Sequence, residues 1–556
     1  MRNSLFGLLC TAAAFLFAGH AQRAEACTNL IVGKKASADG SVIVTYSADN
    51  YGLYGTLRRF PAAHHPKGTK RRIVDGDTNH YLGEIDEAPE TYSVIGNINE
   101  FQVTIGETTF GGRAELTDPE GIIDYVSLMS LGLQRAKTAR EAIRVMTSLV
   151  EQYGYASSGE SFTIADPDEA WIMEMIGKGP GRKGAVWVAV RVPDDCISAH
   201  ANQSRIRQFN RKDKQNVMCS EDVISFAREK GYFDGKDSEF DFAAAYSPTD
   251  FGMQRYCEAR VWSFFNRWAD GMDRYLDYAA GKPISESCQP MPLFVKPNKK
   301  LSVHDVMMSM RDHYEGTPFD TQKDIGAGPY DAPYRPTPLS WKVDGKEYFN
   351  ERPISTQQSG FTFVSQMRSW LPDAIGGVLW FGNDDANTTP YTPIYCCTTN
   401  VPECFAEGTA NDVTFSWESA FWVCNWVANM TYPRYSALFP DVEARRDRIE
   451  ARLLGEQDEV EARAAALLKT SPDSCKAFLD TYTNRMSRKM LREWRRLGEY
   501  LIVKHNDQVV KPEKNGRFTL TEDGLATPPE RPGYPERYNR AIVRETGDRY
   551  LVPQEK

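Results

Sequence analysis

From residue 27 onward the chain opens with two apolar, β-branched runs, residues 30–33 and 41–48, joined through Ala38-Asp39-Gly40. Asp-Gly between apolar runs is a hairpin signal, so the pattern predicts an antiparallel pair with residue 27 at the start of an edge strand. Further strands are predicted at 101–105, at 161–165 and 170–175 about the turn Asp166-Pro167-Asp168, and at 185–192. Between them, Ala139, Ala142, Ile143, Met146, Leu149 and Val150 recur at intervals of three and four, and Thr138 with Glu141 has capping-box spacing, so 138–153 reads as a helix. From Asp441 the pattern changes to charged helices: 442–468 is rich in Arg, Glu and Ala, and Met486, Met490, Trp494, Leu497 and Leu501 form one helical stripe of the kind that packs into a core. Beyond His505, Pro528-Pro529 and Pro532 mark an irregular surface tail. Strands and helices fall in blocks, which favours an α+β sandwich over a doubly wound parallel sheet.

The segment before this body is built differently. Arg2 precedes an apolar run from Leu5 to Ala18, and Ala24-Glu25-Ala26 stands directly before Cys27. This is the layout of a secretory signal peptide, with small residues three and one before the cut, so Cys27 is expected to become the first residue of the mature chain. It would then carry a nucleophilic thiol and a free α-amine of pKa about 7.7–8.0, able to act as the thiol's own base. Two other uses of Cys27 stand beside this one. Lipid attachment ordinarily wants Leu three before the Cys, where this chain has Ala24. A disulfide half is the ordinary fate of cysteine in an exported protein.

The 556 residues are 41% hydrophobic and 25% charged with net charge −9, which argues against a nucleic-acid partner. No other apolar run approaches the roughly 18–20 residues of a membrane span, so the mature chain reads as soluble, periplasmic or secreted. Beyond Cys10 and Cys27 there are nine cysteines, and export predicts some of them in disulfides. Cys396-Cys397-x6-Cys404 lacks the paired spacing and nearby histidines of a zinc site, and neither metal nor cofactor is expected. The sequence does not decide whether the chain forms a homo-oligomer.

Other catalytic outfits are absent: there is no H-E-x-x-H, G-x-S-x-G, P-loop or dinucleotide fingerprint, and a papain-like pairing with His200 or His313 lacks its sequence context. An N-terminal nucleophile needs a charge to hold its amine and donors for the oxyanion. Asp49, ending the second run, is brought beside Cys27 if the strands are antiparallel; its alternative use is to cap a turn.

Six stretches carry a resemblance: C-T-N-L-I-V-G-K-K-A-S-A-D-G-S (27–41), G-N-I-N-E-F-Q-V-T-I-G-E-T-T (96–109), A-D-P-D-E-A-W-I-M-E (165–174), W-V-A-V-R-V-P-D-D (187–195), H-A-N-Q-S-R-I (200–206) and R-D-H-Y-E-G-T-P-F-D (311–320). Together with Q-M-R-S-W-L-P-D (366–373) and G-G-V-L-W-F-G (376–382) they resemble the cysteine dipeptidase family of N-terminal nucleophile hydrolases, over most of 27–440. The resemblance implies an αββα sandwich of two antiparallel sheets between helix layers, and hydrolysis of dipeptides through Cys27 by way of an acyl-enzyme. It also implies an amine-orienting role for Asp49, oxyanion roles for Asn99 and Asn202 (each otherwise a turn residue), and an active-site role for Arg260, otherwise a salt-bridge residue. More distantly the chain is similar to penicillin V acylase and bile salt hydrolase, so an amidase acting on N-acyl amino acids is the second enzymatic reading. Those acylases carry Arg three residues before the acid, where this chain has Tyr46. A disulfide-stapled, non-enzymatic surface binding protein is the third reading. The expected organisation is a signal peptide (1–26), a catalytic domain (27–440), a helical extension packed on it (441–506) and an irregular tail (507–556).

Overall fold

The computed structural model describes residues 27–335 and 340–553; the expected signal peptide lies outside the described residues. The strands that build the site are β1 (Asn29–Val32), β2 (Val42–Asp49), β3 (Thr104–Gly111), β4 (Gly159–Ala165), β5 (Ala170–Gly177), β6 (Ala185–Val192), β7 (Ile197–His200) and β8 (Ser359–Met367). They divide between two sheets. One runs, edge to edge, Phe294–Val295, β7, β1, β2, β8, Val378–Asn383 and Thr392–Tyr395; the other runs Val217–Cys219, β6, β5, β4, β3, Ile98–Asn99, Val94–Ile95 and Arg59–Phe60. Every pairing within these two sheets is antiparallel.

Helices cover both outer faces. On the second sheet, α1 (Tyr125–Arg135) and α2 (Ala139–Tyr153) close a core with Phe162, Trp171, Met173 and Met175. On the first lie α3 (Ala259–Trp268), α4 (Tyr435–Leu468) and α5 (Pro472–His505). The result is the αββα sandwich that the resemblance implied, within the α+β class expected from the block pattern. The Met486–Leu501 stripe is buried in it, as its spacing implied.

The sheets meet through an unusually polar layer. Asn29 Nδ2 donates to Glu107 O at 2.6 Å, and Thr104 and Ser365 share a hydroxyl–hydroxyl bond of 2.8 Å. His200 stands between Thr108 and Thr163, 2.7 Å from each hydroxyl. Burial pushes the His200 imidazole down to about 3, so it is neutral and can accept from one hydroxyl while donating to the other. Gly106 permits this approach: a Cβ there would lie 2.5 Å from Asn29 Oδ1 and 3.2 Å from Tyr46 Cβ.

Several local expectations are corrected. β1 is not an edge strand, because β7, some 165 residues later, pairs along its other side (Asn29↔His200 to Val32↔Ile197). The strand expected at 101–105 begins at Thr104 and runs on to Gly111, because 99–103 folds as a turn with Gln102 at φ 65°. Thr138 does cap α2, accepting from Glu141 N, but the Glu141 carboxylate returns to Lys137 N, one residue before the cap. α4 crosses the boundary expected at residue 440, with Pro440 inside it. The tail is not wholly irregular: Glu536–Thr546 is an exposed helix fastened by Arg537 to the carbonyls of Gln322 and Asp324. The nine described cysteines other than Cys27 are all free thiols rather than disulfides, against the expectation from export.

Candidate active site

Cys27 leads into β1 at the point where the two sheets and α1 enclose a cleft of about 1000 Å³, counting the solvent at its mouth. Its thiol is held from the side by residues of both sheets. Cys27 Sγ donates to Glu107 Oε1 on β3 at 3.4 Å and lies 3.8 Å from Tyr46 Oη on β2; Tyr46 Oη itself donates to Glu107 Oε1 at 2.6 Å. Burial, reinforced by Cys27 and Glu107, drives the Tyr46 hydroxyl well above its ordinary value, so it stays a donor. Burial likewise raises the Glu107 carboxyl, opposed by the bonds from Tyr46, Glu160 and Cys27. Sequence reasoning missed Glu107, and noted Tyr46 only as a departure from a pattern. The alternation along β3 puts Glu107 and Thr109 on one face, but which face meets Cys27 depends on the second sheet's placement.

Arg260 reaches Cys27 from α3. Its Nη1 donates to Cys27 O at 2.7 Å and Thr28 Oγ1 at 2.9 Å, its Nη2 to Ala201 O and Asn202 Oδ1, both at 3.1 Å, and its Nε to Tyr256 O at 3.0 Å. None of these acceptors is a carboxylate. A fully buried guanidinium held only by neutral oxygens, its proton affinity lowered by that burial, directs uncompensated positive potential at the residue it touches. The turn before α3, Met253–Glu258, is π-helical, a local widening often found where a helix must aim a functional side chain.

Asp49 ends β2 and lines the same cleft as Cys27. Its carboxylate is fully buried and triply held: an ion pair with Arg352, the Ser47 hydroxyl at 2.8 Å and the Ser359 hydroxyl at 2.5 Å. Arg352 also donates to Gln358 at 3.1 Å, and Asp49 is the main neighbour that raises its proton affinity against the cost of burial. Nothing in the sequence pointed to Arg352, which lies 303 residues from its partner.

The two asparagines are placed differently. Asn202, in the left-handed region at φ 61°, donates to Thr109 O at 2.8 Å and accepts from Arg260, beside Cys27. Asn99 faces away from the cleft. Its Nδ2 donates to Leu133 O and Ala136 O at 2.8 and 2.7 Å, and its Oδ1 accepts from Phe101 N and Val103 N at 3.0 and 2.9 Å. It ties the turn 99–103 to the end of α1, the turn-residue alternative. Of the two asparagines in this stretch, the one that lines the cleft is Asn97, whose Nδ2 places one hydrogen on Ile105 O at 2.9 Å. The same stretch, 96–109, offered both, and only the turn geometry separates them. The histidines weighed as papain-like partners are engaged elsewhere: His200 between the sheets, His313 with Glu315 at 3.1 Å. Among the described residues no cluster of His, Cys, Asp and Glu is arranged to hold a metal ion.

Fold and site together define a class: an αββα body in which a cysteine at the head of an inner strand opens on a cleft, with an acid and an arginine built around it. The chain belongs to peptidase family C69, whose description matches residues 26–73 and 58–448. It is 30% identical over 394 residues to a probable dipeptidase of Salmonella dublin, covering 66% of this chain and 81% of that one. It is 27% identical over 433 residues to a probable dipeptidase of Latilactobacillus sakei (74% and 82%), and 26% identical over 432 residues to dipeptidase A of Lactobacillus helveticus (74% and 82%).

Proposed function

We propose that the chain is an exported cysteine dipeptidase whose nucleophile is Cys27, exposed at the N-terminus when residues 1–26 are removed. The observation that carries this is the convergence on Cys27: its thiol lies on the cleft it shares with Asp49, and the buried Arg260 grips its carbonyl. The dipeptidases among the relatives support the substrate class. No described helix is long and apolar enough to cross a membrane.

The chemistry follows from these groups. The freed α-amine takes the thiol proton, and the thiolate attacks the carbonyl carbon of the substrate's first residue. Asp49, its own charge matched by Arg352, holds the resulting ammonium in place. The tetrahedral oxyanion is met by amide N–H groups; Asn202 keeps the role expected of it and Asn97 takes that of Asn99, each such donor typically being worth about 2.7–4 kcal/mol. The C–N bond breaks as the ammonium returns its proton to the leaving amine. Water then hydrolyses the thioester, and the thiol is restored.

The test is product detection by mass spectrometry when the processed chain, beside Cys27→Ala, is given mixed dipeptides and N-acyl amino acids. Free amino acids from dipeptides with the unaltered chain alone are expected, and an intact mass beginning at Cys27. Turnover of acylated substrates alone would transfer the site to the amidase reading. No turnover by correctly processed protein would end both.

A further inference from the structure

Proton transfer from the Cys27 thiol to its own amine leaves the acid at that thiol without a task. Glu107 Oε1 accepts from Cys27 Sγ at 3.4 Å and from Tyr46 Oη at 2.6 Å, so one carboxylate oxygen takes both bonds. Resting on the reading of Cys27 as the nucleophile of a dipeptidase, we propose that Glu107 is a further catalytic residue, whose carboxylate aims the sulfur and keeps it protonated until the α-amine takes the proton. In that step the S–H bond breaks, the electron pair stays on sulfur, the new bond is N–H, and Glu107 neither gains nor loses a proton.

The fold fixes Glu107 at this distance. Its backbone is tied to β1 two residues beyond Cys27, where Asn29 Nδ2 donates to Glu107 O at 2.6 Å, and Gly106 before it lets the strands approach. Glu107 is buried, and the groups that meet it are a phenol, a thiol and a second carboxyl, Glu160, which hydrogen-bonds to it. None of the three is a cation, in contrast to Asp49 with its Arg352. The negative charge beside Sγ is therefore only partly offset, and a like charge a few ångströms away disfavours the thiolate. Two cations act the other way: Arg260 donates to Cys27 O at 2.7 Å, and the charge of Cys27 adds to the raised proton affinity of Arg352. The thiol is thus set between two arginines that favour its ionised form and one acid that opposes it. Of the remaining groups here, Asp77, in the turn after Lys70–Val74, acts on Glu107, Tyr125 of α1 acts on Tyr46, and Tyr155, beyond α2, feels Glu107.

The experiment follows alkylation of Cys27 by iodoacetamide as a function of pH in the processed chain, in Glu107→Gln and in Glu107→Ala, read from the mass of the N-terminal peptide, with melting curves to establish that each is folded. Gln keeps the shape and an amide oxygen for Tyr46 and Cys27 but carries no charge, and both variants leave the arginines, Asp49, Asp77, Glu160 and the three tyrosines in place. The Glu107→Gln midpoint should lie about 1 to 3 pH units below the parent's, the effect of removing a charge a few ångströms from a titrating group. Glu107→Ala should shift the same way. Because it also loses the aim, Glu107→Ala should lower kcat for dipeptides by up to about 100-fold with KM unchanged, Glu107 lying behind the cleft wall rather than on it. A merely packing role would be rescued by Gln, so a Glu107→Gln midpoint at or above the parent's overturns the inference; an unchanged kcat in Glu107→Ala overturns the aiming. Alkylation needs no substrate, which keeps the two failures apart: a parent that turns over no dipeptide ends the dipeptidase reading, whereas an unshifted Glu107→Gln midpoint ends this inference alone.

Discussion

Replacing Arg352 with Met removes the cation that matches Asp49 without changing the carboxylate. Both side chains are fully buried, so the lost partner is not replaced by water. Breaking a buried pair from one side costs about 3–5 kcal/mol, most of it from the stranded charge. Here Asp49 keeps the Ser47 and Ser359 hydroxyls, which places the cost towards the lower part of that range. With an unfolding entropy of roughly 2.1 cal/mol/K per residue, a chain of 556 residues loses about 1 °C of thermal midpoint per kcal/mol, so Arg352→Met should melt about 3–4 °C lower. Asp49→Asn in the same background removes the stranded charge and should recover more than half of that loss. Activity separates from stability in this cycle: the double variant regains most of the lost melting temperature but not its turnover, because on the proposed mechanism an amide cannot hold the ammonium of Cys27. Differential scanning calorimetry on the four proteins, with dipeptide hydrolysis in parallel, provides the check. If the double variant melts no higher than Arg352→Met, the coupling between the two charges is absent and the account of Asp49 fails.

Three further outcomes are expected. Asn97→Ala should lower kcat about 10²- to 10³-fold with little change in melting, whereas Asn99→Ala, which strands buried N–H and C=O groups at about 1–3 kcal/mol each, should show as lost stability; steady-state kinetics and melting curves on both decide this. Burial raises Glu174 to about 7 from an ordinary 4.5, so the folded state binds a proton more tightly than the unfolded chain. Its contribution appears as pH falls from about 7 to 4.5, and is absent above; the midpoint of Glu174→Gln should therefore rise less than the parent's between pH 8 and 5, by up to about 3 °C. Ending the chain at residue 440 should yield insoluble protein, because Arg311 would lose Glu450 (3.0 Å) and Arg368 would lose Glu461 (2.7 Å), two buried pairs reaching from α4 into the sandwich; a soluble, active fragment would refute this.

The local periodicities were strong because each is imposed by one segment's own burial. β4, β5 and β6 show apolar, β-branched runs since both faces of an inner strand are covered, and α2 shows its stripe since one face meets the sheet. The thiol at Cys27 and the acid at Asp49 were legible for a related reason: a hairpin's antiparallel geometry brings residues near its open end together whatever the rest of the chain does. The sequence by itself therefore determined the α+β class and the hairpin that sets Asp49 on the same cleft as Cys27. What only the tertiary structure decided are the contacts between segments far apart in the chain, where the partner's position is set by packing rather than by spacing. Tyr46 and Glu107 meet over Cys27 because two sheets face each other, Arg352 meets Asp49 across 303 residues, and β7 makes β1 an inner strand. The choice between Asn97 and Asn99 has the same origin: a two-residue difference along a turn reverses which amide faces the cleft and which is consumed by the backbone, and that direction is fixed by the packing of α1.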